Sequence, residues 1–402
     1  MTSQVRSEAE KQILLLIGVD AIFGFAIGFS SPSFAPLVFA LGLSMSFVGQ
    51  AQTVSGMGAT FLRLPVGVLM DRLGRRPFII LGGLITLVGY LAYSLATFAV
   101  LLGAGIVLVG IDFAIRGTAS SAALGDAEKS GRLGRVFSLD LGATESAATI
   151  APLIGGYAGT AFSVPLRLMF AASAAMVAIA LVVLIIGYRP RPVKESLSSE
   201  TESPRQFALP DRRIIPLLII VALDAAAWRL VFPFWTLYIY DVMKATQEQL
   251  GITLAIAAGI PALTGLTLGS KLDKVGRRPF LAVSEWSSIG AMLPLLFGPT
   301  PEFAYVSAVF SGLVYSLWVP AINAYVVDHF GRERFGQTIG TMSLVGGLAS
   351  AASPALGGWL WDNVSPQAPF TITLFLATAV GTVIWFKLPE HVASDSLRPE
   401  KE

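Results

Sequence analysis

Long apolar runs alternate with short polar segments along almost the whole chain. A helix needs about 20 mainly apolar residues to cross the hydrocarbon core of a bilayer. The first and seventh runs are long and contain Pro and Gly, so we expect kinks or breaks in them. The pattern predicts an all-α polytopic membrane protein with twelve transmembrane helices, at residues 13–39, 46–70, 77–97, 99–123, 135–161, 165–187, 213–240, 249–270, 279–298, 303–327, 337–361 and 369–388.

One polar segment is much longer than the others. Residues 188–212, "YRPRPVKESLSSETESPRQFALPDR", are rich in Ser, Pro and charged residues. This composition is typical of a linker. The segment divides the chain into a six-helix bundle at 1–187, a cytoplasmic linker at 188–212 and a second six-helix bundle at 213–402.

The distribution of Lys and Arg predicts the orientation, because cytoplasmic loops carry an excess of these residues. With both termini in the cytoplasm, all but five of the 28 Lys and Arg residues fall in cytoplasmic segments. The five exceptions are Arg63, Arg116, Arg167, Arg229 and Lys244. The first apolar run is longer than a signal-peptide core and lacks a convincing cleavage site, so we expect it to be retained as a span.

Composition and missing motifs narrow the function classes. Hydrophobic residues make up 54% of the chain and charged residues only 13%, whereas soluble domains carry about 25% charged residues. A net charge of +2 gives no reason to expect a nucleic-acid partner, and the absence of Cys excludes disulfides and thiol catalysis. The sequence contains neither a Walker loop nor a His-Glu-x-x-His motif, so no enzyme activity, metal or cofactor is expected.

One charged segment occurs twice, as "MDRLGRRPFII" from residue 70 and "LDKVGRRPFLA" from residue 272, an offset of 202 positions. The same offset recurs in four separate places along the chain. It relates Gly67 to Gly269, Asp71 to Asp273, Asp126 to Asp328, Pro152 to Pro354 and Gly155 to Gly357. The two halves are therefore predicted to be a duplicated six-helix unit in parallel orientation.

The pattern Gly67-x-x-x-Asp71-Arg72-x-Gly74-Arg75-Arg76 resembles the signature of the major facilitator superfamily. Its second-half copy, the parallel halves and the central linker agree with that resemblance, which covers essentially the whole chain. It implies a secondary transporter, usually monomeric, in which two six-helix bundles surround a central cavity that opens alternately to either side. In this family the first, fourth, seventh and tenth helices line the cavity.

We interpret the repeated segment as a cytoplasmic latch between the two halves. The resemblance places Asp71 near the start of the eleventh helix, whose free N–H groups favour an anion, and Asp273 near the start of the fifth. Gly67 would allow close helix approach and Gly74 a tight turn. Arg75 or Arg76 is expected to pair with Asp126, and Arg277 or Arg278 with Asp328, so that the latch motif comprises Gly67, Asp71, Arg72, Gly74, Arg75, Arg76, Asp126, Gly269, Asp273, Gly276, Arg277, Arg278 and Asp328. The alternative is that these residues only fix the topology.

Charged residues inside predicted spans need a reason, because each costs about 2.5–3.5 kcal/mol at the bilayer centre. The candidates are Asp20, Asp112, Arg116, Glu145, Asp224 and Arg229. Asp112 and Arg116 share a helix face and could neutralise each other. The spans thus contain four acids and only two bases, so two acids have no obvious partner. Burial raises the pKa of an unpaired carboxyl group, and we therefore expect proton coupling. Asp20, which has no nearby charge in sequence, is the leading proton carrier and Glu145 is the second. Structural pairing or hydrogen bonding is the alternative.

Other polar and aromatic residues receive weaker interpretations. Asp140 is read as a local cap or pair, and Glu285 receives no role because the ninth helix is peripheral in the family. Trp228, Phe232 and Trp235 recur at helical spacing, which serves packing as readily as binding. The substrate-cavity candidates are Arg229, Trp228, Trp235, Tyr315, Trp318 and Asn323.

Two spans carry a proline–glycine element, "APLIGG" at 151–156 and "SPALGG" at 353–358. The first resembles an element of proton-coupled exporters in the superfamily, although Ala151 replaces its leading glycine. Ordinary helix packing is the alternative. The residues concerned are Pro152, Gly155, Gly156, Pro354, Gly357 and Gly358.

Together these features predict proton-coupled efflux, by antiport, of a small lipophilic or cationic compound. The predicted partners are the lipid bilayer, the substrate and protons, and the predicted location is the inner membrane. Proton-coupled uptake of a sugar or organic acid is the first alternative. A passive channel or a non-transporting receptor is the second, which the duplicated latch and the short outer loops disfavour.

Overall fold

A computed structural model describes the backbone of residues 3–127, 133–189, 214–331 and 334–389, and the side chains of 10–63, 65–127, 135–189, 214–264, 276–331 and 334–389. The predicted linker lies outside this range from residue 190 onward. The described chain is helical and contains no strand. Its α-helices are α1 Ser3–Ser30, α2 Phe34–Ala40, α3 Met45–Leu73, α4 Arg76–Ser94, α5 Ala99–Asp112, α6 Thr118–Ala127, α7 Leu133–Ala161, α8 Leu166–Gly187, α9 Ile215–Val231, α10 Trp235–Asp241, α11 Gln247–Val275, α12 Arg277–Phe297, α13 Phe303–Phe330, α14 Phe335–Ala349, α15 Ser353–Asn363 and α16 Ala368–Lys387.

The first and seventh apolar runs are broken where the sequence predicted. A short 3-10 turn at Ser31–Ser33 joins α1 to α2, and an equivalent turn at Phe232–Phe234 joins α9 to α10. Pro32 and Pro233 lie in these turns, where their missing N–H groups and ring atoms prevent the α-helical hydrogen bond. The predicted breaks are confirmed.

Nine helical segments of the described chain are long and apolar enough to cross a membrane. The number becomes ten if α3, which bends by 47° between Arg63 and Pro65, is one span. Large apolar side chains also cover the outside of the bundle; Ile186, Phe297 and Phe375 are each at least 69% exposed. A surface of this kind needs an apolar surrounding.

Helices α3 and α11 begin and end in the same way. The Ser44 hydroxyl caps α3, and Thr246 and Gln249 form a reciprocal capping box at the start of α11. Both helices end at a glycine with positive φ, +83° at Gly74 and +100° at Gly276. Only glycine adopts this conformation without strain, so the predicted tight turn at Gly74 is confirmed and is repeated in the second half.

Consecutive spans, each made of one helix or of two helices joined at a break, run in opposite directions, which gives the bundle two ends. We call the end that carries the Gly74 and Gly276 turns the cassette face. Arg76 Nη2 donates to the Ile185 carbonyl at 2.6 Å, and Gln12 Nε2 donates to the Gly187 carbonyl at 3.4 Å. The start of α1 and the end of α8 therefore lie at the cassette face as well. The end that carries the α2–α3 and α10–α11 turns is the opposite face.

The apolar core differs between the two ends. The larger cluster of buried side chains includes Phe23 of α1, Tyr238 of α10 and Phe370 of α16, so it joins the first and second halves of the chain. A smaller cluster, which includes Ile214 and Ile384, is confined to the second half. The second half thus keeps a separate core toward the cassette face, whereas the first half belongs to the shared cluster along its whole length.

Candidate functional site

A buried ionic network occupies the middle of the first half. Arg116 Nη1 lies 2.8 Å from Asp20 Oδ1, and Arg116 Nε lies 3.1 Å from Asp112 Oδ2. The Ser120 hydroxyl donates a short hydrogen bond to the second oxygen of Asp20. All three charged side chains are at most 12% exposed. Arg116 therefore forms ion pairs with two carboxylates on different helices. The Ser120 hydroxyl forms a further hydrogen bond with one of them, Asp20.

The backbone around Arg116 is unusual and positions this network. Residues Phe113–Gly117 form a π-helical turn between α5 and α6. Such turns widen a helix locally and often occur at functional sites. Gly82 of α4 makes room for it, because a Cβ at that position would lie 2.5 Å from Arg116 Cβ. The Phe23 ring lies 4.2 Å below the guanidinium and adds a cation–π contact.

The network agrees with one prediction and corrects another. The pairing of Asp112 with Arg116, which the sequence left as the alternative to proton coupling, is present. The expectation that Asp20 has no charged partner is wrong, because the π-helical turn directs Arg116 toward α1 as well as along its own helix. Sequence spacing on one helix could not show a contact across 96 positions.

Asp140 of α7 belongs to the surroundings of this network, although the sequence reading treated it as a local cap. It lies within electrostatic range of Asp20 and Arg116, and its Oδ1 is buried without a hydrogen-bond partner in the described chain. A possible signal in the sequence was its position five residues before Glu145 on the same span.

Glu145 lies further along α7 and is half-buried. No ion pair to its carboxylate is found among the described residues. Its carboxylate is within electrostatic range of the Tyr315 hydroxyl on α13 of the second half. Tyr315 is 57% exposed. Glu145 and Tyr315 therefore approach each other across the space between the halves, as their assignment to the cavity requires.

Arg229 of α9 also reaches between the halves. A Cβ built on Gly56 of α3 would lie 2.6 Å from Arg229 Nη2. Arg229 is within electrostatic range of a second cation, Arg63 of α3. No acid of the described chain forms an ion pair with Arg229, which leaves a half-buried cation without a counter-charge.

The aromatic candidates divide into two groups. Trp228 and Trp235 pack against the larger core, and Trp235 Nε1 donates to Ser307 Oγ at 3.3 Å. Trp318 packs against the smaller core. These positions favour the packing interpretation for the tryptophans. Tyr315 is exposed and Asn323 is half-buried, so these two remain the cavity candidates of α13.

Asp224 of α9, a predicted proton site, faces Glu285 of α12 rather than a base. Glu285 is completely buried, and neither of its carboxylate oxygens accepts a hydrogen bond in the described chain. The sequence reading gave Glu285 no role because of its helix. The signal available was the burial cost of an acid in the middle of an apolar run.

The proline–glycine elements join the two halves near the opposite face. A Cβ on Gly156 would lie 2.5 Å from the Gln247 carbonyl oxygen of α11, and a Cβ on Gly358 would meet the Met45 carbonyl of α3. The other glycine of each element packs within its own half, Gly155 on Phe29 and Gly357 on Leu230. The carbonyls of Pro152 and Pro354 face Gly251 and Gly49, the corresponding glycines of the opposite half.

Two side chains that the sequence reading missed complete this closed end. Asp362 of α15 accepts hydrogen bonds from the backbone N–H groups of Met45 and Ser46, at 3.1 and 2.7 Å. Thr160 of α7 accepts one from the Glu248 N–H at 3.0 Å. Each half therefore caps the first turn of a helix in the other half. Thr160 and Asp362 are themselves 202 positions apart.

At the cassette face the predicted ion pairs form, but each lies within one half. Arg75 Nε is 3.1 Å from Asp126 Oδ2, and Arg277 Nε is 3.0 Å from Asp328 Oδ2. Asp71 pairs with Arg75 at 2.5 Å and its side chain is 71% exposed. The expectation that these contacts join the two bundles is wrong for this conformation.

The other latch residues also make contacts inside their own half. Arg76 bonds to α8, and the Arg278 guanidinium lies 5.4 Å from the Trp385 ring of α16. Arg72 is exposed, and no atom lies within 4 Å of a Cβ built on Gly67. The expected close approach of a neighbouring helix at Gly67 is therefore not found among the described residues. The predicted contacts of Gly269 and Asp273 lie outside the described side chains.

Among the described residues, the halves thus meet at the opposite face, whereas the contacts found at the cassette face lie within one half. A sequence model of the Major Facilitator Superfamily matches residues 16–216 and again residues 217–402. The match covers both halves, and the chain belongs to this superfamily.

Two curated relatives of the chain are multidrug resistance proteins by name, at low identity. A multidrug resistance protein MdtG from Dickeya zeae (strain Ech586) is 25% identical over 247 residues, which are 60% of each chain. Multidrug resistance protein 2 of Bacillus subtilis (strain 168) is 24% identical over 403 residues, 94% of this chain and 97% of the relative. The match thus spans about three-fifths of the first relative and nearly all of the second.

Solved structures agree on the fold. The nucleoside transporter NupG superposes with a TM-score of 0.74, covering 94% of this chain and all of the other at 15% identity. These comparisons define a multi-pass integral membrane protein of the Major Facilitator Superfamily, with the fold of the transporter NupG.

Proposed function

We propose that the protein exports a small lipophilic or cationic compound in exchange for protons, by alternating access. In this proposal twelve spans form two bundles, at 1–187 and 213–402, joined by a cytoplasmic linker at 188–212. Both termini and the cassette face are in the cytoplasm, as the excess of Lys and Arg there favours. The protein acts as a monomer in the inner membrane.

The observation that carries the proposal is the network in which one buried arginine, Arg116, is shared by Asp20 and Asp112. Protonation of either acid removes one of two competing partners and leaves the arginine with the other. For Asp20 the change is at a contact between α1 and the π-helical turn, and α1 packs along α7 in the same half. Binding of a proton would therefore alter the packing of helices that line the cavity.

Glu145 supplies the second proton site of the proposal. It is half-buried, has no ion-pair partner in the described chain and lies toward Tyr315 of the other half. A carboxyl group in this position is able to meet a cationic substrate when ionised and to release it when protonated. Competition of this kind between substrate and proton is the simplest form of antiport.

Alternating access is supported by the difference between the two ends. The halves are in backbone contact near the opposite face, and the described ion pairs of the cassette face lie within one half. The conformation is then one that opens to the cytoplasm. Export as the direction is supported by the names of the two multidrug resistance relatives.

The proposal is tested in liposomes that hold a trapped pH dye and contain the purified protein. Lipophilic cations are added outside without an initial pH gradient, and internal alkalinisation is the expected result for antiport. Asp20→Asn and Glu145→Gln should each reduce this response and change its pH dependence. Glu302→Gln, an exposed acid at the opposite face, serves as the matched control. Unchanged rates and pH profiles in both variants would show that the assignment is wrong.

A second function is favoured by Arg229, a half-buried cation that has no acid partner in the described chain and lies near Arg63. Two cations beside the cavity suit an organic acid, which the protein would take up together with protons. Addition of the acid outside would then acidify the liposome interior, and Arg229→Gln would abolish the signal. Alkalinisation by lipophilic cations would exclude this alternative.

A further inference from the structure

The π-helical turn at Phe113–Gly117 occurs only in the first half of the described chain. Its counterpart 202 positions later lies inside α13, which is a continuous α-helix. There Val314 stands at the position equivalent to Asp112, and Trp318 stands at the position equivalent to Arg116. The half without these charges is therefore also the half without the widened turn.

The neighbouring helix is adapted to the turn in one half and to a regular helix in the other. A Cβ built on Gly82 of α4 would lie 2.5 Å from Arg116 Cβ and 2.9 Å from Arg116 N, closer than real side chains approach. The equivalent position on α12 is Ser284, which is completely buried and donates its hydroxyl to the Val314 carbonyl at 2.8 Å. A side chain therefore fits beside the regular helix, whereas only glycine fits beside the π-helical turn.

The hydrogen bonds at the end of the turn depart from the α-helical pattern. The Thr118 N–H donates to the Ile115 carbonyl, three residues back. In an α-helix it would donate to the Ala114 carbonyl, four residues back. The Thr118 hydroxyl donates to that carbonyl instead, at 2.8 Å. Since π-helical turns are rare, this one needs contacts that stabilise it.

The contacts with Asp20 are the ones that favour the widened turn. Asp112 and Arg116 are four residues apart, and side chains at that spacing also meet on a regular α-helix. Arg116 pairs with Asp20 at 2.8 Å, and Ser120 donates to the same carboxylate. These two contacts join the turn and α6 to α1, so they depend on the present orientation of both segments.

We propose that the π-helical turn is a proton-operated switch that relaxes to a regular α-helix when Asp20 is protonated. A neutral Asp20 gives up its ion pair, and Arg116 keeps Asp112, its partner at α-helical spacing. Because the turn contains one extra residue, its relaxation would rotate α6 by about 100° and advance it by about 1.5 Å relative to α5. The assignment of the proton to Asp20 rests on the proposed function, whereas the widened turn and its packing do not.

The rotation would connect the proton site to the cassette face. Helix α6 carries Ser120 and also Asp126, which forms the 3.1 Å ion pair with Arg75. Asp126 is ten residues from Arg116, which is about 15 Å along the helix. Rotation of α6 would carry Asp126 away from Arg75 and leave Asp71 as the described partner of that arginine.

Few other charges face Asp20 from the helices packed against α1. Outside the network, the described parts of α6, α7 and α8 carry five charged side chains: Asp126, Arg135, Asp140, Glu145 and Arg167. Asp140 lies within electrostatic range of Asp20, whereas Asp126 and Arg167 lie toward the two ends of the bundle. Arg116 is therefore the cation whose pairing changes when Asp20 takes up a proton.

Spin-label distances in the protein reconstituted in lipid test the switch without transport. The chain has no Cys, so Ser121→Cys on the exposed side of α6 and Ile186→Cys at the end of α8 each carry a label. A rotation of about 100° on a helix about 10–12 Å wide moves the label on α6 by about 8 Å. We expect one distance at alkaline pH and a second, shifted distance at acid pH. The pair Val100→Cys with Leu168→Cys joins α5 to α8 ahead of the turn and should keep its distance.

Variants of the turn should produce the shift without acid. Asp20→Asn removes the charge that pairs with Arg116, and Gly82→Ala places a methyl group against the widened turn. Each should show the shifted distance at alkaline pH. Thr118→Val should show it in part, because the variant loses the hydrogen bond to the Ala114 carbonyl.

Matched controls separate the switch from general effects on helices. Gly142→Ala adds the same methyl group where no described atom lies within 4 Å of the new Cβ. Thr378→Val removes the same kind of hydroxyl bond, to the Leu374 carbonyl, from the regular helix α16. Both should keep the wild-type distance, and thermal unfolding confirms that each variant is folded.

The outcomes separate the switch from the proposed function. One distance at both pH values in the wild type, unchanged in Asp20→Asn and Gly82→Ala, would overturn the switch and leave proton-coupled transport standing. An acid-induced shift that Asp20→Asn does not reproduce would overturn Asp20 as its trigger. A shift in the wild type and in both variants, without proton movement in the liposome assay, would support the switch and reject the proposed function.

Discussion

The two ends of this bundle are stabilised by different kinds of contact. At the opposite face the halves meet through glycine and backbone, as at Gly156 and the Gln247 carbonyl. At the cassette face the described contacts include ion pairs of long side chains, such as Arg75 with Asp126, and these pairs lie within one half. Small residues let helices approach until their backbones touch. Long charged side chains hold a turn in shape while leaving the surface between the halves free.

The comparison teaches which contacts have to break when the protein changes conformation. The ion pairs of the cassette face remain intact in an open conformation, so they preserve the shape of each half rather than the closure between halves. The closure seen here depends on close packing and on two helix caps, Asp362 and Thr160. Variants at the opposite face should therefore affect closure between the halves, whereas variants at the cassette face should affect the shape of one half.

A covalent cross-link across the closed end should stop transport. The chain contains no Cys, so Thr160→Cys with Glu248→Cys introduces a single pair at positions where the side chain of one residue already touches the backbone of the other, at 3.0 Å. Oxidation should abolish substrate flux, and a reducing agent should restore it. The corresponding test at the cassette face, Asp71→Cys with Gly336→Cys, should cross-link more slowly. Full transport after complete cross-linking at 160 and 248 would refute closure and opening at this end.

A larger side chain in the backbone contact should prevent closure. Gly156→Val would place atoms against the Gln247 carbonyl. Overpacking of this kind costs about 1–3 kcal/mol, so we expect transport to fall by roughly ten- to a hundredfold. Gly142→Val, on the same helix, is the control. No atom of the described chain lies within 4 Å of a Cβ built on Gly142. Equal losses in both variants would point to helix propensity rather than to the contact.

Removal of one cap should shift the equilibrium between conformations without abolishing transport. Asp362→Ala removes the acceptor for two backbone N–H groups of α3. Loss of an N-cap costs about 1 kcal/mol, which corresponds to a roughly fivefold larger population open at the opposite face. Labelling of a cysteine placed at that face measures the population. Asn363→Ala is the control, since its side chain bonds only to Trp359 of its own helix. Equal labelling of both variants would contradict the role of the cap.

Asp71→Asn should have the smallest effect. Its side chain is 71% exposed and bonds only within its half, so thermal stability in the present conformation should not change. If Asp71 meets the start of α14 when the cassette face closes, loss of its charge should slow transport about two- to fivefold, from the size of charge–dipole interactions. A normal rate would favour the view that the segment only fixes topology.

Much of the fold could be predicted because it depends on local pattern. Apolar runs fixed the helices, Pro32 and Pro233 fixed the breaks, and Gly74 and Gly276 fixed the turns. The sequence left Arg75 or Arg76 as the partner of Asp126 and Arg277 or Arg278 as the partner of Asp328, and the structure shows Arg75 and Arg277 in these pairs.

The site was only partly predictable, because its contacts cross between helices. Asp20 has no charged neighbour on its own helix, but it forms an ion pair with Arg116. Arg116 lies in a π-helical turn that the sequence pattern did not predict. Glu285 looked peripheral but faces Asp224, and Asp140 proved to lie near Asp20. Residue spacing predicts which side chains share a face of one helix, whereas their partners on other helices depend on how the helices pack.

By itself, then, the sequence determined that the chain is a duplicated bundle of apolar helices with acids placed where burial is costly. Both the hydrophobic pattern and the 202-residue offset can be seen in the order of the residues alone. Only the tertiary structure decided which acids share Arg116, which acids face each other and which end is sealed. These depend on rigid packing between distant segments, where one glycine or one widened turn changes which side chains meet.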